Sequence, residues 1–247
     1  MIEKREKIKS IKKKIIKFCI FTVIIALFVG VFVYFCPYIF IKNVDTTALN
    51  KAGISECDNL MIVAHPDDES IFGGDHIKNG NYFIMCITNK NNRTRRKEFN
   101  QMLAKTGCKG IILSYPDKIF SKRSQWTLWK KSISKDIYTA LNTKSWESVV
   151  THNEKGEYGH IHHKMVHKMV FDNFDKSFNE KNTRPLLYVF GKYYSKKKLP
   201  DNLSSLSAMS DDSLRQKEEL ISIYSSQGKA RKKLKHIYPY EEWVSVK

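Results

Sequence analysis

The chain has 247 residues, 42% hydrophobic and 28% charged, and its 43 Lys and Arg outnumber 25 Asp and Glu to give a net charge of +18. That length suits one full-sized domain with an appendage and excludes two large globular domains, which run from about 50 to 250 residues each. Five cysteines without a Cys-x-x-Cys spacing exclude a disulfide-stapled scaffold, and Cys86 lies in an apolar run as a small core residue.

The N-terminus is strongly basic, with Lys4, Arg5, Lys7, Lys9, Lys12, Lys13, Lys14 and Lys17 ahead of 24 uncharged residues from Phe18 to Ile41. As a helix that run would extend roughly 36 Å, enough to cross a hydrocarbon core of about 30 Å with some tilt. A cleaved signal peptide has a shorter apolar region and a small-residue cleavage site, and no such site follows here. The expected organisation is a basic tail at 1–17 lying against anionic lipid, a transmembrane anchor at 18–41, a connector at 42–58 and one domain at 59–247. Only Lys42 and Lys51 follow the span up to Asn59, so the positive-inside rule sets the tail in the cytoplasm and the domain outside it, in a single-pass cell-membrane protein. Taking away the net +6 of the tail leaves +12 on the rest, a surplus that favours polyanionic surroundings such as wall polymers or a membrane surface. Nucleic acid is not expected as a partner, because no stacking-aromatic or groove-binding motif accompanies the charge.

Beyond the span, continuous apolar runs at 59–64, 82–88, 110–114, 146–151 and 186–190 read as strands covered on both faces. Helical patterns separate them, at about 68–78, at 95–105 with Phe99, Met102 and Leu103 as a stripe, at 126–141 and at 160–171. A fifth follows near 211–225. Strands alternating with helices predict βαβ units, hence an α/β domain with a mainly parallel sheet and helices on both faces.

Two motifs stand at predicted strand ends. Ala64-His65-Pro66-Asp67-Asp68-Glu69 follows the first strand, at the carboxyl edge where open α/β sheets place their sites. His and Asp suit a first-row metal, and adjacent turn residues cannot all face one ion, so two ligands and one non-ligand base are a natural division. A strand-end turn whose Asp residues merely cap the next helix is the other reading. The second motif runs Thr151-His152-Asn153-Glu154-Lys155-Gly156-Glu157-Tyr158-Gly159-His160-Ile161-His162-His163. On a helical wheel Ile161, Met165, Val166, Met169 and Val170 share an apolar arc, whereas His160, His163 and His167 share the opposite stripe. His162 points into the apolar arc as a hydrogen-bonded structural histidine, and His167 lies a turn deeper, facing solvent or supporting a ligand.

With both motifs in view the chain resembles the LmbE-like/PIG-L deacetylases, a family of zinc enzymes with a Rossmann-like three-layer fold that remove N-acetyl groups from GlcNAc-bearing substrates. Arg95-Arg96-Lys97-Glu98 and Tyr224-Ser225-Ser226-Gln227 add weaker anchors, and the likeness covers residues 59 to about 230. By this resemblance His65, Asp68 and His163 are the ligands of Zn2+ or another divalent first-row metal, and Asp67 is the general base. His160, assisted by Tyr158, stabilises developing charge or donates to the leaving amine. The family often has an acidic residue where His162 stands. Three protein ligands leave a fourth position for water, whose pKa falls from about 15.7 to roughly 7, the nucleophile for amide hydrolysis. The expected substrate is a GlcNAc-containing glycan or glycolipid, in a surface or wall polymer by preference. The alternative is a catalytically inactive, membrane-tethered glycan-binding protein of the same fold.

Overall fold

The computed structural model describes residues 2–178 and 184–246. Met1 and Lys247, the outer ends of the expected tail and domain, lie outside the described residues. Two compact units result, residues 1–41 and 42–247.

The first unit is one helix, α1 (Ile2–Ile39), which takes in the basic tail as well as the apolar run. Its segment Arg5–Ile39 contains a stretch long and apolar enough to cross a membrane, with mean hydropathy 2.8 over its most apolar 18 residues. The helix stops two residues before the expected Ile41. Pro37, which lacks an amide proton, sits in its final turn.

The second unit begins with α2 (Thr46–Lys51), capped by the Asp45 carboxylate accepting from the Ala48 amide. The segment expected as a connector is therefore structured, and it buries Leu49 and Ile54 completely. There follow β1 (Asn59–Val63), α3 (Asp68–Ile77), β2 (Tyr82–Thr88), α4 (Arg93–Thr106), β3 (Lys109–Tyr115), a small hairpin of β4 (Lys118–Ile119) and β5 (Lys122–Arg123), and α5 (Lys130–Asn142). After β6 (Ser148–Thr151) come the turn α6 (Gly156–Gly159), α7 (Ile161–Phe178), β7 (Leu186–Phe190), α8 (Asp211–Ile223), α9 (Gly228–Leu234) and β8 (Trp243–Ser245). The third helix starts at Lys130 rather than at the expected Trp126, because Trp126 has φ +52° and its indole turns inward to donate to the Pro116 carbonyl.

The main sheet has the order β3-β2-β1-β6-β7-β8, parallel except for β8, which pairs antiparallel with β7. Met61, Val63, Ile84 and Cys86 cluster with Phe99, Met102, Leu220 and Ile221 from α4 and α8. α5 and α7 pack on each other, and α7 contacts β1. Helices thus cover both sides, and each fully buried apolar side chain contributes about 1.5–3 kcal/mol. From β1 the chain winds first towards β2 and β3 and then crosses back to β6 on the other flank. This reversal opens a crevice beyond the carboxyl ends of β1 and β6.

The edge by α3 is closed differently. Gly73 and Gly74 leave room for Trp243 and for the Lys217 stem, since a Cβ there would meet them at 3.0 and 2.8 Å. Lys217 reaches through to the buried Glu241 carboxylate at 2.7 Å.

Candidate metal centre

His65 leaves β1 at the crevice, and Pro66 ends the strand by withholding a ladder donor. The following turn is tight. Asp67 has φ +127°, a region L-residues rarely adopt, and buried Arg95 from α4 fastens it by donating to the Pro66 carbonyl and, at 2.9 Å, to Asp67 Oδ1. Glu69 lies beneath, accepting from the Asp67 amide and from the Tyr224 hydroxyl at 3.1 and 2.6 Å. Glu98 accepts from the amide and hydroxyl of Ser226. The two weaker motifs of the sequence thus converge on the first one and hold its backbone.

Across the crevice, His152 follows β6. Its Nε2 accepts from the Ala64 amide at 3.0 Å, so its proton is on Nδ1, which donates to Glu157 Oε2 at 3.1 Å. Glu157, at φ +52°, also accepts from His163 Nδ1, and its backbone is locked by exchange of hydrogen bonds with Asn153. Burial raises the Glu157 carboxyl, but attraction to His152 and His163, in the states where those rings carry a second proton, more than offsets this and brings it to about 2.

The sequence-predicted ligands come together. Ligand atoms of His65, Asp68 and His163 lie within 4.8 Å of one another, and all three residues are buried. Asp68 Oδ2 is 3.2 Å from His65 Nδ1, and Asp68 Oδ1 is 3.3 Å from His163 Nε2. His163 Nε2 is buried without a hydrogen-bond partner, and Glu157 holds the proton on the far nitrogen, so a lone pair of the neutral ring is aimed at the Asp68 carboxylate. An unpaired buried nitrogen beside a carboxylate fits a cation between them, and a carboxylate behind a ligating imidazole is the usual support for one. Burial pushes Asp68 up, yet attraction to His163 and His65 in their protonated forms outweighs it and holds the group well below the carboxylate range. Both rings are in turn raised, against burial, by the Asp68 charge, and a cation between them would take the place of those protons. An N/O set of two imidazoles and one carboxylate suits zinc or a similar divalent ion.

Asp67 points elsewhere. Burial raises it to about 6, against the pull of Arg95 and with a smaller push from Asp68. His160 packs against the rings of His65 and His163 at 4.6 and 4.4 Å. Its Nδ1 accepts from the His162 amide at 3.2 Å, which leaves the proton on Nε2. Burial, then the charges of His65 and His163, lower its pKa, so the ring is neutral. Tyr158 stands half-buried beside it, 5.9 Å between ring centroids, with Lys233 Nζ 4.5 Å from the Tyr158 centroid. His162 is fully buried and stacks on Trp126, and burial followed by the charge of His65 pushes it down to about 3. His167 lies outside the cluster and donates from Nδ1 to the His152 carbonyl.

Sequence reasoning gave no site role to His152, Glu157, Arg95 or Asp117. Asp117 follows β3 and stands 3.4 Å from His65 Nε2, beside Arg123 at 3.2 Å. The available signal was positional: His65, His152 and Asp117 each stand just past the carboxyl end of a strand on one edge of the sheet.

The sequence profile described as PIG-L, GlcNAc-PI de-N-acetylase, matches residues 60–174, from β1 into α7. An uncharacterized protein of Acanthamoeba polyphaga mimivirus is 31% identical over 209 residues, covering 78% of this chain and 81% of its own length.

Proposed function

The chain belongs to the PIG-L family, and on that footing we propose that it hydrolyses the N-acetyl amide of a GlcNAc-type sugar, releasing acetate and leaving the amine. The observation that carries this reading is the unpartnered His163 Nε2 beside Asp68 and His65, a three-ligand set of the kind a hydrolytic metal requires. When bound, a zinc or similar ion acts as a Lewis acid towards the amide oxygen and acidifies the attacking water.

The side chains supply the rest. Asp67, next to the ligand Asp68 and outside the ligand set, takes the proton of the attacking water. Arg95 holds its carboxylate in place at 2.9 Å. His160, with its proton on Nε2, donates to the oxygen on which negative charge develops, and Tyr158 walls that side. Asp67 then returns its proton to the amine nitrogen as the C–N bond breaks. A neutral imidazole at position 160 is a better hydrogen-bond donor than acid, which favours charge stabilisation over protonation of the leaving group as its task.

The reading extends to location. With α1 as an uncleaved span and the basic tail on the cytoplasmic side, the domain faces outward, where the +12 beyond the tail draws it to anionic wall or surface polymers bearing GlcNAc. The deciding assay is acetate release by the full chain from a panel of GlcNAc-containing glycans and glycolipids, with and without a chelator. Chelator-sensitive release is expected, and release from none of the panel overturns the reading. Location is read with protease added to intact cells: residues 43–247 should be degraded without breaking the membrane, and protection there reverses the topology.

A further inference from the structure

We propose that His162 is the positioning residue that decides which nitrogen of His65 faces the metal, through an ordered chain of protons beginning at the Ser124 carbonyl. The inference rests on His65 being a ligand, as read above. A carbonyl oxygen only accepts, so the 2.7 Å contact between it and His162 Nε2 requires a proton on that nitrogen. In the neutral ring Nδ1 is then an acceptor, and it lies 3.0 Å from His65 Nε2. One proton has to lie between those two nitrogens, and His65 supplies it. The nitrogen of His65 left for a metal is Nδ1, the one 3.2 Å from the Asp68 carboxylate.

The surroundings reinforce this order. Asp117 Oδ1, 3.4 Å from His65 Nε2 and 3.5 Å from His162 Nδ1, is a second acceptor for the same proton. Trp126 lies flat on His162, 4.2 Å between centroids and 5° between planes, which fixes the plane of the imidazole, while the Ser124 carbonyl and His65 Nε2 contacts set where its nitrogens point within that plane. The Pro116 carbonyl anchors the indole at 2.8 Å. The stretch from Pro116 to Trp126 is therefore an orienting plate behind His65, as Glu157 is behind His163.

The test uses the full chain in detergent micelles with isotope-labelled histidine and added zinc. NMR should show zinc on His65 Nδ1 with a proton on Nε2. Zinc bound through Nε2 overturns the proposal, whereas a chain that takes up no zinc at all overturns the metal-centre reading itself. Zinc affinity in two variants supplies an independent check. His162→Gln keeps a donor towards Ser124 and an acceptor towards His65, and should bind zinc within roughly threefold of wild type; His162→Leu keeps the bulk alone and should lose about 10–100-fold. Wild-type affinity in a folded His162→Leu chain, or an equal loss in His162→Gln, also overturns it. Should His162→Leu fail to fold, as judged by circular dichroism, the wild-type spectrum decides alone.

Discussion

The Glu241 carboxylate is met by Lys217 Nζ at 2.7 Å, by His76 Nδ1 at 2.6 Å and by the amides of Asp75 and His76 at 3.0 Å each. The Asp68 carboxylate is met by the His65 amide and by imidazoles of His65, His152 and His163, and the last of these presents a nitrogen with no hydrogen-bond partner. Both carboxylates are buried, and burial alone would raise both. In the first, a lysine ammonium from the same chain supplies the compensating charge as an ion pair, its Nζ, like His163 Nε2, being buried with no hydrogen-bond partner, and the pair serves to fasten β8 and α8 to α3. In the second, imidazole lone pairs converge on the carboxylate and their far nitrogens are held by Glu157, His162 and Asp117. Such a cluster is arranged to receive a cation. Burial, charge density and a buried nitrogen without a hydrogen bond occur in both clusters; an ammonium carries its own charge and has no lone pair to give, whereas a neutral imidazole has one, and that separates the structural cluster from the functional one.

That contrast is sharpest when a ligand is deleted. His163→Ala should reduce the metal content of the full chain from about one ion to none, by the three-ligand requirement, and abolish turnover. Elemental analysis checks it, and full metal retention would remove His163 from the centre. Asp67→Asn separates base from ligand: turnover should fall by about 10²–10⁴-fold with metal content unchanged, since the amide fills the same space without accepting a proton. Wild-type activity in that variant would move the base elsewhere. Lys217→Met breaks the ion-paired cluster instead, leaving Glu241 buried without its ammonium partner. It should cost about 3–5 kcal/mol in urea unfolding while metal per folded chain stays at the wild-type level. Loss of metal at unchanged stability would erase the distinction between the two clusters.

Much of the fold was legible along the chain. The five strand runs and the helices at 68–78, 95–105 and 160–171 match β1, β2, β3, β6, β7, α3, α4 and α7 to within a few residues, except that α7 runs on to Phe178. Strands buried on both faces write themselves as unbroken apolar runs, and covering helices as stripes. The short elements were not legible. β8 carries Trp243 and Val244 in only three residues, and the β4–β5 hairpin is built from Lys118, Ile119, Lys122 and Arg123, too few and too polar for any periodicity.

The sequence by itself determined the α/β class, the apolar N-terminal helix and the chemical candidates His65, Asp67, Asp68, Tyr158, His160 and His163, because spacing within one motif fixes which residue types stand side by side. The tertiary structure decided what supports them. His152, Asp117, Arg95 and Trp126 lie 30 to 87 residues from His65 by their numbering, and they reach the site because parallel strands bring successive carboxyl ends to one edge of the sheet. It also decided the role of His162. Helical periodicity sends that side chain inward as a structural residue, but which partner meets it inside, and hence which of its nitrogens holds the proton, depends on a carbonyl 38 residues away.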